Sequence, residues 1–260
     1  MNTGHGDLKM VECAHKTTKP TNRNHPNLKM TATTNSTSQK SVLVIGASGG
    51  TGREIMKQLY THPAQPRVHA FCRDPKKLND LTTFHSIVKG NARDANDLKR
   101  AMQETKANVV IISIGNGEST AKTDVRTASA RALAHVLKQA EFRNVRIVVV
   151  SSQGAGNSEI KVGLGIGALI SFHLRHVLAD HTGQEETFTT APDLQNRTLI
   201  VRATALTDGQ PAVKVVEFGD KVKSPSIKTD RSDLAHYVVG KVFAPSDITG
   251  NIVNITGMSK

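Results

Sequence analysis

Residues 41–54 read Ser-Val-Leu-Val-Ile-Gly-Ala-Ser-Gly-Gly-Thr-Gly-Arg-Glu. An apolar run, Val42 to Ile45, ends in Gly46, Gly49 and Gly52, and helix-forming residues begin at once. The spacing is G-x-x-G-x-x-G. A tight strand-to-helix turn needs glycines where a pyrophosphate must approach bare backbone. The unpaired N–H groups and positive end of the following helix then hold the phosphates. A strand before the glycines, a helix after them and a further strand beyond agree with a dinucleotide-binding turn. Gly46, Ser48, Gly49, Gly50, Thr51, Gly52 and Arg53 are its expected cofactor-binding residues.

The next apolar run, Val68 to Cys72, ends in Arg73-Asp74-Pro75-Lys76-Lys77. In dinucleotide folds the end of the second strand meets the adenosine ribose. An acid there accepts from the 2′-hydroxyl of NAD, whereas arginine suits the 2′-phosphate of NADP. Arg73 takes that arginine position, and Arg53 is placed to reach the same phosphate. Forked guanidinium donors match phosphate oxygens. NADP(H) is therefore the expected cofactor, against a solvated basic turn as the plainer reading.

From Ser41 onward strands and helices alternate. Strands are expected at 42–46, 67–72, 85–89, 108–114, 145–151 and 197–202, with helices near 51–61, 94–105, 124–141 and 169–189. Val109 to Ile112 and Ile147 to Val150 are apolar on both faces, as in a parallel sheet covered on both sides. The expected class is α/β, a doubly wound parallel sheet (Rossmann fold) over residues 41–260. Strands near 213–218 and 251–255 around a helix at 231–243 suggest a small C-terminal extension on the substrate side.

Residues 1–40 differ. Thr, Asn, Lys and His dominate Thr17 to Lys40, and no apolar period offers a face to bury. Such a segment cannot offset its ordering entropy and is expected to be a disordered basic and polar tail. It lacks the apolar core of a secretory signal, and Asp7, Glu12 and a single arginine, Arg23, fit a mitochondrial address poorly. The two cysteines, Cys13 and Cys72, imply no disulfide framework and fit a reducing, cytoplasmic setting. No apolar run reaches the length of a membrane span. A net charge of +12 raises nucleic-acid binding, but aromatics are 3% and no zinc, helix-turn-helix or RNP-type signature occurs. The expected partner is a small-molecule substrate, with no nucleic acid and no membrane; oligomeric state is not readable.

GASGGTGR (46–53), FCRDP (71–75), VVVSS (148–152), DHxxxE (180–185), VRATALTDG (201–209) and TDRSDLAHYVV (229–239) occur in this order. From about Ser41 to the C-terminus the chain resembles atypical short-chain dehydrogenases, in the branch of NmrA-like proteins and biliverdin-IXβ or flavin reductases. The resemblance implies that Asn91 and Ala92 lie along the adenine and Ile114 and Gly115 beside its ribose. It also implies that Ser151, Ser152 and the segment Ala203 to Leu206 flank the nicotinamide. Two positions depart from the family: Asn91 stands where Asp is usual, and Arg202-Ala203 where Arg-Pro is usual, which restores φ freedom.

Tyr-dependent relatives use Tyr-x-x-x-Lys after the fifth strand, where lysine lowers the phenol pKa for proton exchange with substrate. Here Tyr237 and Lys241 have that spacing, but some 85 residues beyond Ser152 and on the last helix. Tyr237 reads as a packing residue. Ser151, Ser152 and His181 are the catalytic candidates, with Glu185 one turn on to orient His181. Serines at a strand end also satisfy backbone groups, which is the plainer role. His173 and His176 are at i, i+3 without a third ligand, so no metal is expected. The glycine-rich segment 154–167 reads as a lid over an apolar substrate or as a surface loop. The expected function is an NADPH-dependent oxidoreductase passing hydride to a flavin, quinone or carbonyl compound. The alternative is a non-catalytic NADP sensor of the NmrA kind; a non-redox enzyme on the same fold is a third.

Overall fold

The computed structural model describes residues 10–11, 39–117, 119–163, 165–209, 211–212, 214–244 and 250–258. In chain order the strands are β1 (Met10–Val11), β2 (Ser41–Ile45), β3 (Arg67–Cys72), β4 (Ser86–Lys89), β5 (Val109–Ile112), β6 (Arg146–Ser152), β7 (Thr198–Ala203), β8 (Ala205–Thr207), β9 (Lys214–Phe218), β10 (Lys228–Asp230) and β11 (Asn251–Met258). The α-helices are α1 (Gly50–Tyr60), α2 (Ala95–Thr105), α3 (Val125–Leu137), α4 (Ile166–His173), α5 (Arg175–Thr189), α6 (Pro192–Gln195) and α7 (Arg231–Phe243).

All five residues of β2 are buried, so both its faces are covered. Successive side chains point to opposite faces. Val42 and Val44 join one core layer with Ile55, Met56 and Leu59 of α1 and Leu234 and Val238 of α7. Leu43 and Ile45 join the other with Leu98 and Met102 of α2, Leu133 of α3 and Phe188 of α5. The sheet runs β1-β9-β11-β7-β6-β5-β2-β3-β4. Strands β4 to β11 through β3, β2, β5, β6 and β7 are parallel, and β9 is antiparallel to β11. The chain order reverses between β2 and β5, which opens a crevice at their carboxyl ends.

The strands expected to build a small C-terminal extension, β9 and β11, instead continue the main sheet by pairing with each other and with β7, and β8 and β10 form a separate parallel pair. Of the segment expected to form a disordered tail, Met10–Val11 runs antiparallel to β9, and 1–9 and 12–38 lie outside the described residues. The long helix expected at 169–189 is two helices, bent at Leu174. The Arg175 Nη1 donates to Phe172 O at 3.0 Å and its guanidinium lies 4.6 Å from the Phe172 ring centre, which terminates α4.

Two glycines let α1 leave β2. Gly46 has φ +86°, and a β-carbon on it would lie 2.4 Å from Ser113 O, where β5 ends. A β-carbon on Gly52 would lie 2.3 Å from Gly46 O. Backbone, which yields little, is the obstacle in both cases. Gly52→Ala is therefore expected to lower stability by about 1–3 kcal/mol through overpacking. Gly209→Ala, with nothing within 4 Å of the added atom, should stay within about 0.5 kcal/mol of wild type. Urea denaturation of both variants checks this, and equal midpoints would refute the tight turn.

Candidate active site

The crevice begins at the amino end of α1. Gly49 caps the helix in an extended conformation, with no side-chain cap and no acid in the first turn. Its own N–H donates to Gly46 O at 3.0 Å, and the first helical bond is Arg53 N to Gly49 O at 2.9 Å. The N–H groups of Gly50, Thr51 and Gly52 therefore lack an intrahelical acceptor. A β-carbon on Gly49 would find only Gly46 O at 3.4 Å and Ser113 O at 4.0 Å, so the turn is bare backbone with room above it. These donors fit a dinucleotide diphosphate. Ser48 is half-buried and Thr51 is buried at the same turn.

A cation that sequence reading passed over stands there too. The Cδ and Nε of Arg231, the first residue of α7, lie 3.0 Å from where a β-carbon on Gly50 would sit. Its guanidinium pairs with the exposed Asp208. The motif 229–239 contained Arg231, but only the packing of α7 on α1 reveals its place.

At the second strand end, Arg73 is exposed just beyond β3. Arg53 donates to Lys77 O at 2.8 Å and pairs with Asp80, so it sits against the same turn with its donors engaged. Asn91 accepts from Arg93 N at 3.1 Å, and its N–H donates to Asp97 Oδ2 at 2.9 Å. Ala92 and Ile114 are partly buried against the α2–α3 core layer. Gly115 lies beside Arg126, whose Nη2 is 3.6 Å from the position of a β-carbon there.

At the carboxyl end of β6 a buried polar cluster forms. Ser151 Oγ donates to Glu185 Oε1 at 2.5 Å and lies 3.4 Å from His181 Nδ1. Glu185 is held in turn by Arg202, which is 1% exposed: Nη2 reaches Oε2 at 2.6 Å and Nε reaches Oε1 at 3.0 Å. Arg202 Nη1 also donates to Asn157 Oδ1 at 3.0 Å and to Asp220 Oδ1 at 2.9 Å. Asp180 accepts from the backbone N–H groups of Arg126 and Thr127 at 3.1 and 2.9 Å and so caps α3 from α5. Burial, then the Arg126 charge, pushes the His181 pKa down to about 3. His181 is neutral at physiological pH.

Ser152 stands apart from that cluster, with Oγ donating to Gln153 O at 3.1 Å. Ala203 is buried in β7 and Leu206 is partly buried in β8, packed against the α1–α7 core layer. His173 and His176 fall on either side of the bend at Leu174. Tyr237 is buried in the α1–α7 core layer; its phenol donates to Glu217 Oε1 at 2.5 Å, and Lys241 Nζ pairs with the same oxygen at 2.9 Å.

A family model described as NAD(P)H-binding matches residues 46–245. A short-chain dehydrogenase/reductase (wide type) from Veillonella parvula, solved in complex with NADP, superposes with a TM-score of 0.65 at 13% identity, covering 84% of this chain and 95% of that one. ChuY, an anaerobilin reductase from Escherichia coli O157:H7, gives 0.63 at 17% identity over 83% of this chain and 96% of its own. At these identities the likeness is one of fold: a short-chain dehydrogenase-like Rossmann architecture. A decarboxylating sterol-4-alpha-carboxylate 3-dehydrogenase from Saccharomyces cerevisiae is 38% identical over 77 residues, 27% of this chain and 22% of that enzyme. No helix among the described residues is long and apolar enough to cross a membrane.

The state of His181 has a pH consequence. Its folded pKa is lowered to about 3, below the roughly 6.5 of an unfolded histidine. The unfolded chain thus binds the extra proton first, so this contribution to stability is full above about pH 6.5 and is lost as pH falls toward 3. Between those limits wild type should lose up to about 1.4 kcal/mol per pH unit more than His181→Asn. Urea titrations of both proteins from neutral pH to mild acid measure the two slopes, and parallel slopes would exclude a buried neutral imidazole.

Proposed function

Because this chain belongs to the NAD(P)H-binding family, we propose that it is an NADPH-dependent oxidoreductase reducing a flavin, quinone or related conjugated carbonyl compound. In this reading residues 41–260 are the NAD(P)-binding unit and 1–40 an appended tail. The observation that carries it is the Ser151 hydroxyl, held by Glu185 beside neutral His181 at the carboxyl end of β6. That end of a doubly wound sheet is where ligands bind. When bound, the cofactor supplies the hydride.

The chain supplies position and electrostatics. The free N–H groups of Gly50, Thr51 and Gly52 take the diphosphate, with Arg231 as a nearby cation. Arg73 meets the 2′-phosphate, and Ala92, Asn91, Ile114 and Gly115 line the adenosine side. Ser151 Oγ turns from Glu185 to orient the acceptor's reacting oxygen or nitrogen, and His181 Nδ1 holds the serine in place. His181, neutral at physiological pH, is a poor proton donor, and the Glu185 oxygens are engaged as acceptors by Arg202 and Ser151. A site without an acid favours acceptors whose reduced anion is delocalised, as in quinones and flavins, over isolated ketones, whose alkoxide needs an immediate proton.

The burial of Ser151, 4% exposed, favours a second reading in which the protein binds NADP as a sensor without turnover. Purified protein with NADPH and a panel of flavins, quinones and carbonyls, followed at the reduced-nicotinamide absorbance band, decides between them. Oxidation above the protein-free rate supports the enzyme; its absence across the panel supports the sensor.

Arg73→Ala should weaken NADPH by about tenfold to a hundredfold through loss of a charge-assisted pair, and NADH little. Titration of both cofactors into both proteins gives the ratio, and an unchanged ratio would remove Arg73 from the site. On an acceptor that turns over, Ser151→Ala should lower kcat about tenfold for one lost hydrogen bond. Tyr237→Phe keeps its ring packing and should stay within about twofold. With NADPH binding intact in both variants, the reverse ranking would place proton transfer on α7 instead.

A further inference from the structure

Arg126, the second residue of α3, is 7% exposed, and its guanidinium is poorly partnered. Among the described residues its guanidinium has one protein acceptor, Asp180 Oδ2, reached by Nη1 at 3.4 Å. Its Nε is enclosed with no acceptor at all. Two other arginines of this chain, buried Arg202 and partly buried Arg197, show what a structural guanidinium looks like. Arg202 gives all three nitrogens to carboxylate and amide oxygens at 2.6–3.2 Å. Arg197 gives Nε, Nη1 and Nη2 to the carbonyls of Asp193, Phe142, Val145 and Leu137.

Asp180 compensates Arg126 incompletely. Its two oxygens are taken up by the Arg126 and Thr127 backbone N–H groups, which spreads the carboxylate charge over the amino end of α3. A buried guanidinium with idle donors is costly unless something else accepts from them. The position suits a ligand. Nη2 faces Gly115 at the carboxyl end of the sheet, and the charge acts directly on His181, the neighbour of Ser151. Nη2, which lies toward Gly115 and has no acceptor among the described residues, is the donor a carboxylate oxygen would meet, with the guanidinium charge behind it.

We propose that Arg126 forms an anion subsite between Gly115 and the Ser151–His181 pair, selecting acceptors that carry a carboxylate. This rests on the oxidoreductase reading for where the acceptor lies, but its test does not require turnover. The full-length protein is saturated with NADP⁺ and titrated calorimetrically with 2-naphthoate and with 2-naphthamide, which share a ring system and differ in charge. Naphthoate is expected to bind at least about tenfold tighter. Arg126→Met should erase that preference while leaving NADP⁺ affinity within about threefold, and Arg126→Lys should keep part of it.

Equal binding of acid and amide by wild type, or binding of neither, would overturn the subsite. So would undiminished naphthoate binding by Arg126→Met, or a loss of NADP⁺ affinity in that variant, which would assign the guanidinium to the cofactor. Should the Met variant fail to fold, the wild-type comparison and the Lys variant still decide. Arg126-dependent naphthoate binding in a protein that oxidises no NADPH would retain the subsite and refute the oxidoreductase.

Discussion

One buried ion pair organises the site. Arg202 on β7 and Glu185 on α5 meet with both side chains shielded from water, 1% and 4% exposed. Stripping such a pair of one partner leaves a buried charge, at a cost of about 3–5 kcal/mol. Its members reach further: Arg202 to Asn157 and Asp220, Asp220 to Asn254 on β11, and Glu185 to Ser151. Gly156 crosses the pair at φ +58°, and a β-carbon there would lie 2.3 Å from Arg202 Nη2 and 2.7 Å from Glu185 Oε2. The start of the glycine-rich segment lies close over the ion pair and is held there by Arg202 Nη1 donating to Asn157 Oδ1 and by Gly156 N donating to Thr182 Oγ1. The orientation of Ser151 follows from the same contacts, since Glu185 Oε1 accepts from both Arg202 and the serine.

The cofactor side obeys a different constraint, close approach of backbone. Gly46 abuts Ser113 across the point where strand order reverses, and Gly52 abuts Gly46 where α1 leaves the sheet. Those contacts leave the first N–H groups of α1 facing the crevice. Arginines stand at several stations around it: Arg73 beyond β3, Arg231 over Gly50 and Arg126 beside Gly115. A dinucleotide phosphate and an anionic acceptor would each meet a cation, which gives part of the chain's +12 charge a local use.

Local signals carried much of this. The glycine spacing and apolar run of 42–52 placed β2, the turn and α1, and two-sided apolar strands implied a sheet covered on both faces. The helix expected at 231–243 forms with those bounds, and Asp230 caps it, accepting from Ser232 N at 2.9 Å. What escaped depends on contacts between distant residues. Arg231 reaches Gly50 from the neighbouring helix α7, Asp180 caps a helix 54 residues earlier, and Arg202 finds Glu185 and Asp220 on separate elements. The bend at Leu174 escaped for a subtler reason: Arg175 folds back on Phe172, and helical periodicity carries no trace of a side chain doing so.

The Tyr237–Lys241 spacing shows why a pattern needs its surroundings. In a proton-relaying pair the lysine must stabilise phenolate, so that the tyrosine pKa falls. Here Glu217 stands between them, accepting from the phenol and pairing with the ammonium. Burial, with the Glu217 hydrogen bond and charge, pushes the phenol pKa up instead. The lysine's charge is spent on the glutamate, and the phenol becomes a donor locked in the α1–α7 core layer. That layer lies across the sheet from the one Phe188 of α5 joins, the helix that carries His181. Any reduction carried out at Ser151 must therefore proceed without a phenolic acid. Under the proposed reductase reading, the neutral imidazole beside Ser151 does not replace one, and this favours acceptors that hold their own negative charge.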